Sequence, residues 1–244
     1  MKRVLSLVLL MSLIASAAYA DPLTLAEPLT GEAWWPEDAD ASTADAVYRY
    51  AYPQVEGEDD AAEAINAFYS DMLSYDLYFR LPISGDFYDG IAETLISYEI
   101  TCNNDEYFSV RILTCTVAEE TETEIVSGHV FARHSEKPGN VITLPYLLGI
   151  LEGGEDDTWL QDRQTAKAED CVRRMLWEGI SESGIPLLED ADEELLEAVF
   201  YPENDFYLNE NGDPVFFLQP GRLFDESYGV VTFAIPLEEL LDEI

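Results

Sequence analysis

Residues 91–117, IAETLISYEITCNNDEYFSVRILTCTV, decide the fold class. On both sides of Asn103-Asn104-Asp105 apolar and polar residues alternate, the period of a half-buried strand. Setting Cys102 opposite Glu106 aligns Ile96, Tyr98 and Ile100 with Ile112, Val110 and Phe108, so both strands bury one apolar face. A four-residue loop would set those side chains against Tyr107, Ser109 and Arg111, because a slip of one residue turns a strand inside out. The spacing predicts an antiparallel hairpin with a three-residue loop, in which an Asn tolerates positive φ.

Working outward, residues 45–55 (DAVYRYAYPQV) alternate Tyr48, Tyr50 and Tyr52 against Val47, Arg49 and Ala51, a strand ended by Pro53. Gly57 and Glu58-Asp59-Asp60 open a helix, with acids at its positive end. Its stripe Ile65, Phe68, Met72 and Tyr75 is predicted to be core. Residues 124–133 make a third strand with His129 and His134 at its end, and Pro138-Gly139 a turn. Residues 141–148 (VITLPYLL) read as a short strand. Gly153-Gly154-Glu155-Asp156-Asp157 precedes a helix over about 158–180 with the stripe Leu160, Gln164, Ala168, Cys171 and Met175. A short acidic helix follows near 190–200. Phe206-Tyr207-Leu208 and Val215–Leu218 flank Asn211-Gly212, a hairpin signal. Residues 228–235 form the last strand, and Pro236 starts a terminal helix. Hairpins without regular βαβ alternation predict an α+β fold, mainly antiparallel sheet with helices packed on it.

The 244 residues carry 50 Asp+Glu against 12 Lys+Arg, a net charge of −38. With 48% apolar and 12% aromatic residues the chain has the material for a core, unlike a disordered acidic tail. Such a charge excludes a nucleic-acid partner, which needs a basic surface, and disfavours an anionic membrane. Lys2 and Arg3, an apolar run from Val4 to Ala18, and Ala18-Tyr19-Ala20 give residues 1–20 the pattern of a cleaved signal peptide. A run of about 15 residues is shorter than the roughly 20 that span a bilayer. The expectation is a secreted or envelope-associated protein with no membrane span after cleavage. Cleavage leaves ten basic against fifty acidic side chains, a net of −40. Residues 21–44, with Pro22, Pro28, Gly31 and Pro36, read as an acidic tether in which Trp34-Trp35 docks on the domain. The domain is expected over 45–244, with a division into 45–135 and 136–244 left open.

No specific catalytic motif occurs, so the reading is not an enzyme. His129 and His134 are the only histidines, and nothing ties them to a nucleophile. The acidic loops 209–213 and 155–157 do not match a calcium loop. Cys102, Cys115 and Cys171 lack ligand spacing, and the hairpin holds Cys102 and Cys115 too far apart to bond. Three buried free thiols are expected, with a Cys115–Cys171 bridge as the alternative. No cofactor or metal is expected, and no residue is assigned a catalytic or binding role.

Three stretches carry a family resemblance: Tyr52-Pro53-Gln54 with Ala64-Ile65-Asn66; Gly139-Asn140-Val141-Ile142-Thr143-Leu144 before Leu147-Leu148; and Phe206-Tyr207-Leu208, Val215-Phe216-Phe217-Leu218-Gln219-Pro220, Tyr228-Gly229 and Ile235-Pro236. In this order, over roughly 45–244, the chain resembles the lysozyme-sensing extracellular domain of RsiV-type anti-sigma-V factors, a module that also precedes PdaC-type peptidoglycan deacetylase domains. The family's Gly-Gly-x-His element is matched in part by Ser127-Gly128-His129. Only Met1-Lys2-Arg3 precede the apolar run, so sigma-factor inhibition does not carry over, nor does deacetylation. The resemblance implies an extracellular recognition module that captures lysozyme or another cationic protein, or peptidoglycan. The alternatives are a carboxylate-based cell-wall hydrolase and a structural envelope domain without a discrete ligand.

Overall fold

In the computed structural model, which describes residues 21–40, 42–88, 90–151 and 159–244, the deciding hairpin is β3 (Ala92–Asn103) and β4 (Tyr107–Ala118). The signal segment and the 153–157 loop lie outside the described residues. Tyr98 faces Ile112 and Ile100 faces Val110, two residues along from the predicted register. A slip of two keeps every side chain on its face, so Ile96, Phe108, Val110 and Ile112 still share one core. The loop keeps the predicted three residues but sits one position later, at 104–106, where Asn104 caps it: Oδ1 accepts from the amides of Glu106 and Tyr107 at 2.9 and 2.8 Å. A bulge between Ile100 and Cys102 absorbs the shift.

With β1 (Leu29–Trp35), β2 (Ala46–Tyr52) and β5 (Thr121–Ala132), the hairpin builds a five-stranded sheet in the order β1-β2-β3-β4-β5. Only β2–β3 is parallel, since α1 (Asp60–Tyr75) and α2 (Leu81–Phe87) occupy the connection between them. The tether expected over 21–44 is corrected: Leu29 to Trp35 pair with β2, Leu23 is buried, and Trp35 packs on Gly85 of α2. An edge strand tolerates the prolines and glycine that disguise it, because one side needs no ladder.

The α1 stripe is also corrected. Asp59 caps the helix by accepting from the Ala62 amide, and the buried row is Ala61, Ala62, Ile65, Tyr69 and Leu73, while Tyr75 is exposed. Ile65 belongs to both rows, Phe68 and Met72 pack partly buried on the same core, and Tyr69 lies against Tyr52 and Phe131, so the predicted stripe fails at Tyr75 alone. Residues 141–148 are not a strand: Val141 makes one bridge to Phe131, and Pro145 then starts the single turn α3 (Leu144–Leu147).

The C-terminal half adds α4 (Trp159–Glu182), α5 (Glu193–Val199), a second antiparallel sheet β6 (Phe206–Leu208), β7 (Pro214–Leu218) and β8 (Val231–Ala234), and α6 (Leu237–Glu243). In α4 the buried row is Ala168, Cys171, Val172, Leu176 and Ile180; Leu160 is exposed. β7 is buried at every position because its alternate residues serve two cores. Phe216 and Leu218 pack with the helices, and Val215 and Phe217 pack with Val126 and Tyr207 against the large sheet. The fold is α+β. Its layers are α1 and α2, the five-stranded sheet, the three-stranded sheet, and α4 to α6.

Several side chains of the quoted stretches are structural. Asn66 brackets Val55, accepting from its amide and donating to its carbonyl, both at 2.9 Å. Gln219 does the same to Val126, at 3.0 and 2.7 Å. Gly139, at φ +76°, lets its loop rest on Ala61 of α1, where a Cβ would meet the carbonyl at 2.4 Å.

Candidate functional site

α1 runs without a break through a π-helical turn, Asp76–Arg80, into α2. Asp76 is only 1% exposed. Its Oδ2 accepts from the hydroxyls of Tyr48 at 2.5 Å and Tyr52 at 2.6 Å, and Oδ1 lies 3.1 Å from Arg80 Nε, an ion-pair contact outside hydrogen-bond alignment. The two tyrosines stand four apart on β2 and so share a face. Burial first, and the bonds to Asp76 second, push both phenols well above their ordinary range, so they stay protonated donors. Two hydrogen bonds to Oδ2 and the nearby guanidinium make the buried carboxylate tolerable, although Oδ1 itself accepts no hydrogen bond. The clamp fixes the turn, a type of helix defect that gathers at functional sites.

Since Leu73, Asp76 and Leu81 take the inward side, Tyr75, Tyr78, Phe79, Ile83 and Phe87 are turned outward. Tyr78 and Phe87 are 75% and 76% exposed. Tyr78 meets Phe79 edge-on at 4.8 Å, and Tyr75 lies 5.0 Å from Phe79. Five large apolar side chains in thirteen residues form a ridge, unlike the single exposed apolar residues any surface carries. Asp71 and Asp86 are exposed beside it in the chain, and the charge of Arg80 is taken by Asp76. Sequence reasoning missed the ridge because Pro82 and Gly85 disguise α2. The available signal was Leu73, Leu77 and Leu81 at steps of four, with the aromatics on the other faces.

The two histidines are not brought to a common site. His134 is exposed beyond β5. His129 is buried on the inner face, between Phe68 and Tyr69, with Nδ1 3.3 Å from the Tyr69 hydroxyl. Burial pulls its pKa down to about 4. Between about pH 6.5 and 4 the unfolded chain binds a proton at this residue that the folded chain refuses. Stability is therefore lost as pH falls through this window, by about 2–3 kcal/mol at pH 4.5. Urea unfolding at pH 7 and 4.5 is expected to show that extra loss in the parent relative to His129→Gln; equal pH dependence in both contradicts it.

The 209–213 loop is a hairpin turn: Asn209 Oδ1 accepts from Asn211 and Asp213, and Asp213 accepts from the Leu237 amide. No cluster of three or more metal-ligating residues occurs among the described residues. All three cysteines are free. The expectation that all are buried is corrected at Cys115, which is half-buried and donates to Glu122 at 3.2 Å. Burial and Glu122 push its thiol up to about 11. Arginines 49, 80, 111, 173 and 174 meet carboxylates, but twelve basic side chains leave fifty acids mostly uncompensated. No helix among the described residues is long and apolar enough to cross a membrane.

No family profile and no curated protein sequence matches the chain. Solved structures do. A DUF3298-family protein from Pseudomonas aeruginosa PAO1 aligns with a TM-score of 0.53 and 14% identity, covering 90% of this chain and 93% of its own. A DUF3298-family member from Bacteroides fragilis NCTC 9343 gives 0.51 and 12%, with the same coverage of each chain. At these identities the likeness is one of fold: the chain is built as the DUF3298 structures are.

Proposed function

We propose that this protein is a secreted or envelope-associated binding module of the RsiV type, which captures a cationic protein such as lysozyme. The observation that carries this reading is the aromatic ridge standing on an intensely anionic body. Tyrosine and other aromatic side chains supply most of the energy at protein interfaces, while charge complementarity steers the encounter. A second copy of this chain is a poor occupant, because two bodies of −40 repel. The export pattern of residues 1–20 and the resemblance described above agree with a partner met outside the cell.

Hen lysozyme, a strongly basic protein, is the probe. Its association rate with residues 21–244 is expected to fall at least ~10-fold between ~10 mM and ~150 mM salt, as the Debye length contracts from ~30 to ~8 Å. Absence of binding at the lower salt removes lysozyme as the partner. A salt-independent rate removes the charge mechanism.

A further inference from the structure

The fold treats the two outer strands of the large sheet differently. On β5, Gln219 brackets the amide and carbonyl of Val126, and Ile142 donates to the carbonyl of Val130 at 2.7 Å. On β1, at the opposite side, the outward backbone groups have no hydrogen-bond partner among the described residues. The pairing says which groups these are. Ala92 donates to the carbonyl of Asp45 at 3.0 Å beside the parallel β2–β3 ladder, so the odd-numbered residues of β2 bond to β3 and the even-numbered ones to β1. Tyr48 and Tyr50 therefore pair with Ala33 and Gly31, and the N–H and C=O of Thr30, Glu32 and Trp34 point away from the sheet. Pro28 and Pro36, which have no N–H, bound this edge.

The side chains of β1 set what fits alongside. Leu29, Ala33 and Trp35 project to the inner face, where with Tyr50 they pack partly buried on the core. Thr30, Glu32 and Trp34 project to the other face, with Glu32 against Arg49. Glu27, Glu37 and Asp38 are exposed at the two ends. A strand laid along β1 alternates in the same way: one row meets apolar side chains, and the next meets carboxylates and the Trp34 ring. We infer that the β1 edge is a docking site for an extended cationic segment of a partner protein, in which basic and apolar residues alternate and whose main chain adds a sixth strand. Backbone hydrogen bonds supply the attachment, and the two rows supply the selectivity. Charge complementarity chooses this occupant over a second copy, whose β1 brings further acids to a body of −40. The prolines keep the edge short, which also limits pairing between copies. The edge is separate from the ridge, and neither reading rests on the other.

The probe is a capped hexapeptide of alternating lysine and valine, titrated into ¹⁵N-labelled residues 21–244 in ~10 mM salt. Saturable shifts centred on the amides of Thr30, Glu32 and Trp34, with slowed hydrogen exchange at the same amides, are expected. The fully N-methylated peptide keeps the charge but has no N–H to donate, and is expected to bind at least ~10-fold more weakly. Glu32→Pro removes one edge N–H and sets a ring where the added strand must come, at a position where an outer strand tolerates proline; Arg49 keeps its contact with Glu93. It is expected to weaken the lysine–valine peptide at least ~10-fold, while Glu32→Gln, which keeps the N–H, stays within ~3-fold of the parent. The melting temperatures are expected to hold in both variants, and the N-methylated peptide decides the matter should Glu32→Pro fail to fold. Shifts spread over the acidic surface rather than the edge, equal binding of the N-methylated peptide, or equal binding by folded Glu32→Pro overturns the assignment. So does a peptide-free dimer that Glu32→Pro dissolves, which gives the edge to a second copy.

Discussion

Gly128→Ala is expected to destabilise the protein by at least ~3 kcal/mol and to lower its melting temperature by roughly 6–12 °C. An added Cβ at this position would lie 1.8 Å from the carbonyl oxygen of Phe206 and 2.6 Å from its carbon. Both atoms are backbone, and Phe206 is itself 2% exposed, so neither side yields locally. The two sheets must part along β5 and β6, loosening the contacts of Val126 with Tyr207 and Phe217. Gly179→Ala in α4 is the internal control. There the Cβ meets only the Phe233 ring, at 3.2 Å, and a helix interior favours Ala over Gly by about 1 kcal/mol. Thermal unfolding of both variants separates the cases: a large loss at 128 and little or none at 179. A Gly128→Ala protein as stable as the parent refutes the close approach of the sheets.

Asp76→Ala is expected to cost roughly 3–5 kcal/mol, because two charge-assisted hydrogen bonds of about 1.5–3 kcal/mol each are lost inside the core. Tyr48 and Tyr52 keep only each other, at 3.2 Å. Arg80, more than half exposed, is not left as a buried charge, which keeps the cost below that of a broken buried ion pair. Tyr48→Phe is milder, since Tyr52 still donates to the carboxylate, and is expected to cost about 1–2 kcal/mol. The clamp holds the π turn from which Tyr75, Tyr78 and Phe79 project, so Asp76→Ala is also expected to raise amide exchange across 75–80. Urea unfolding with hydrogen exchange checks both. Equal stability in the parent and Asp76→Ala removes the clamp from the account.

Most elements were legible because their periodicity is strong. The faces of β3 and β4, the helix opened by the acids at 58–60 and the Asn211-Gly212 hairpin each follow from local rules that the fold leaves standing. What was not legible depended on partners distant in sequence. The register of β3 on β4 slid by an even step, which parity cannot detect, since the bulge beside Cys102 and the Asn104 cap set it. Strand β1 was hidden because Pro28, Gly31 and Pro36 read as turn residues, while their tolerance comes from an edge position that only the assembled sheet defines. Tyr75 was placed in the core because its row begins at Ile65; the buried Asp76 next to it, a polar residue no apolar stripe would include, turned the helix by one position. The ridge followed from that turn. It lay in a segment where Pro82 and Gly85 sit inside a helix, one at its start and one against Trp35.

The central claim is that the exposed aromatics of the π turn and α2 form the face that grips a basic partner. The most direct measurement is the affinity for hen lysozyme, in low salt, of a Tyr78→Ala, Phe87→Ala double variant against the parent, with the melting temperatures matched. An interface hot spot costs about 2 kcal/mol or more when truncated, so the loss of even one of the two anchors is expected to weaken binding at least ~30-fold. A double variant that holds lysozyme as tightly as the parent contradicts the claim, because the anionic surface alone would then account for the binding.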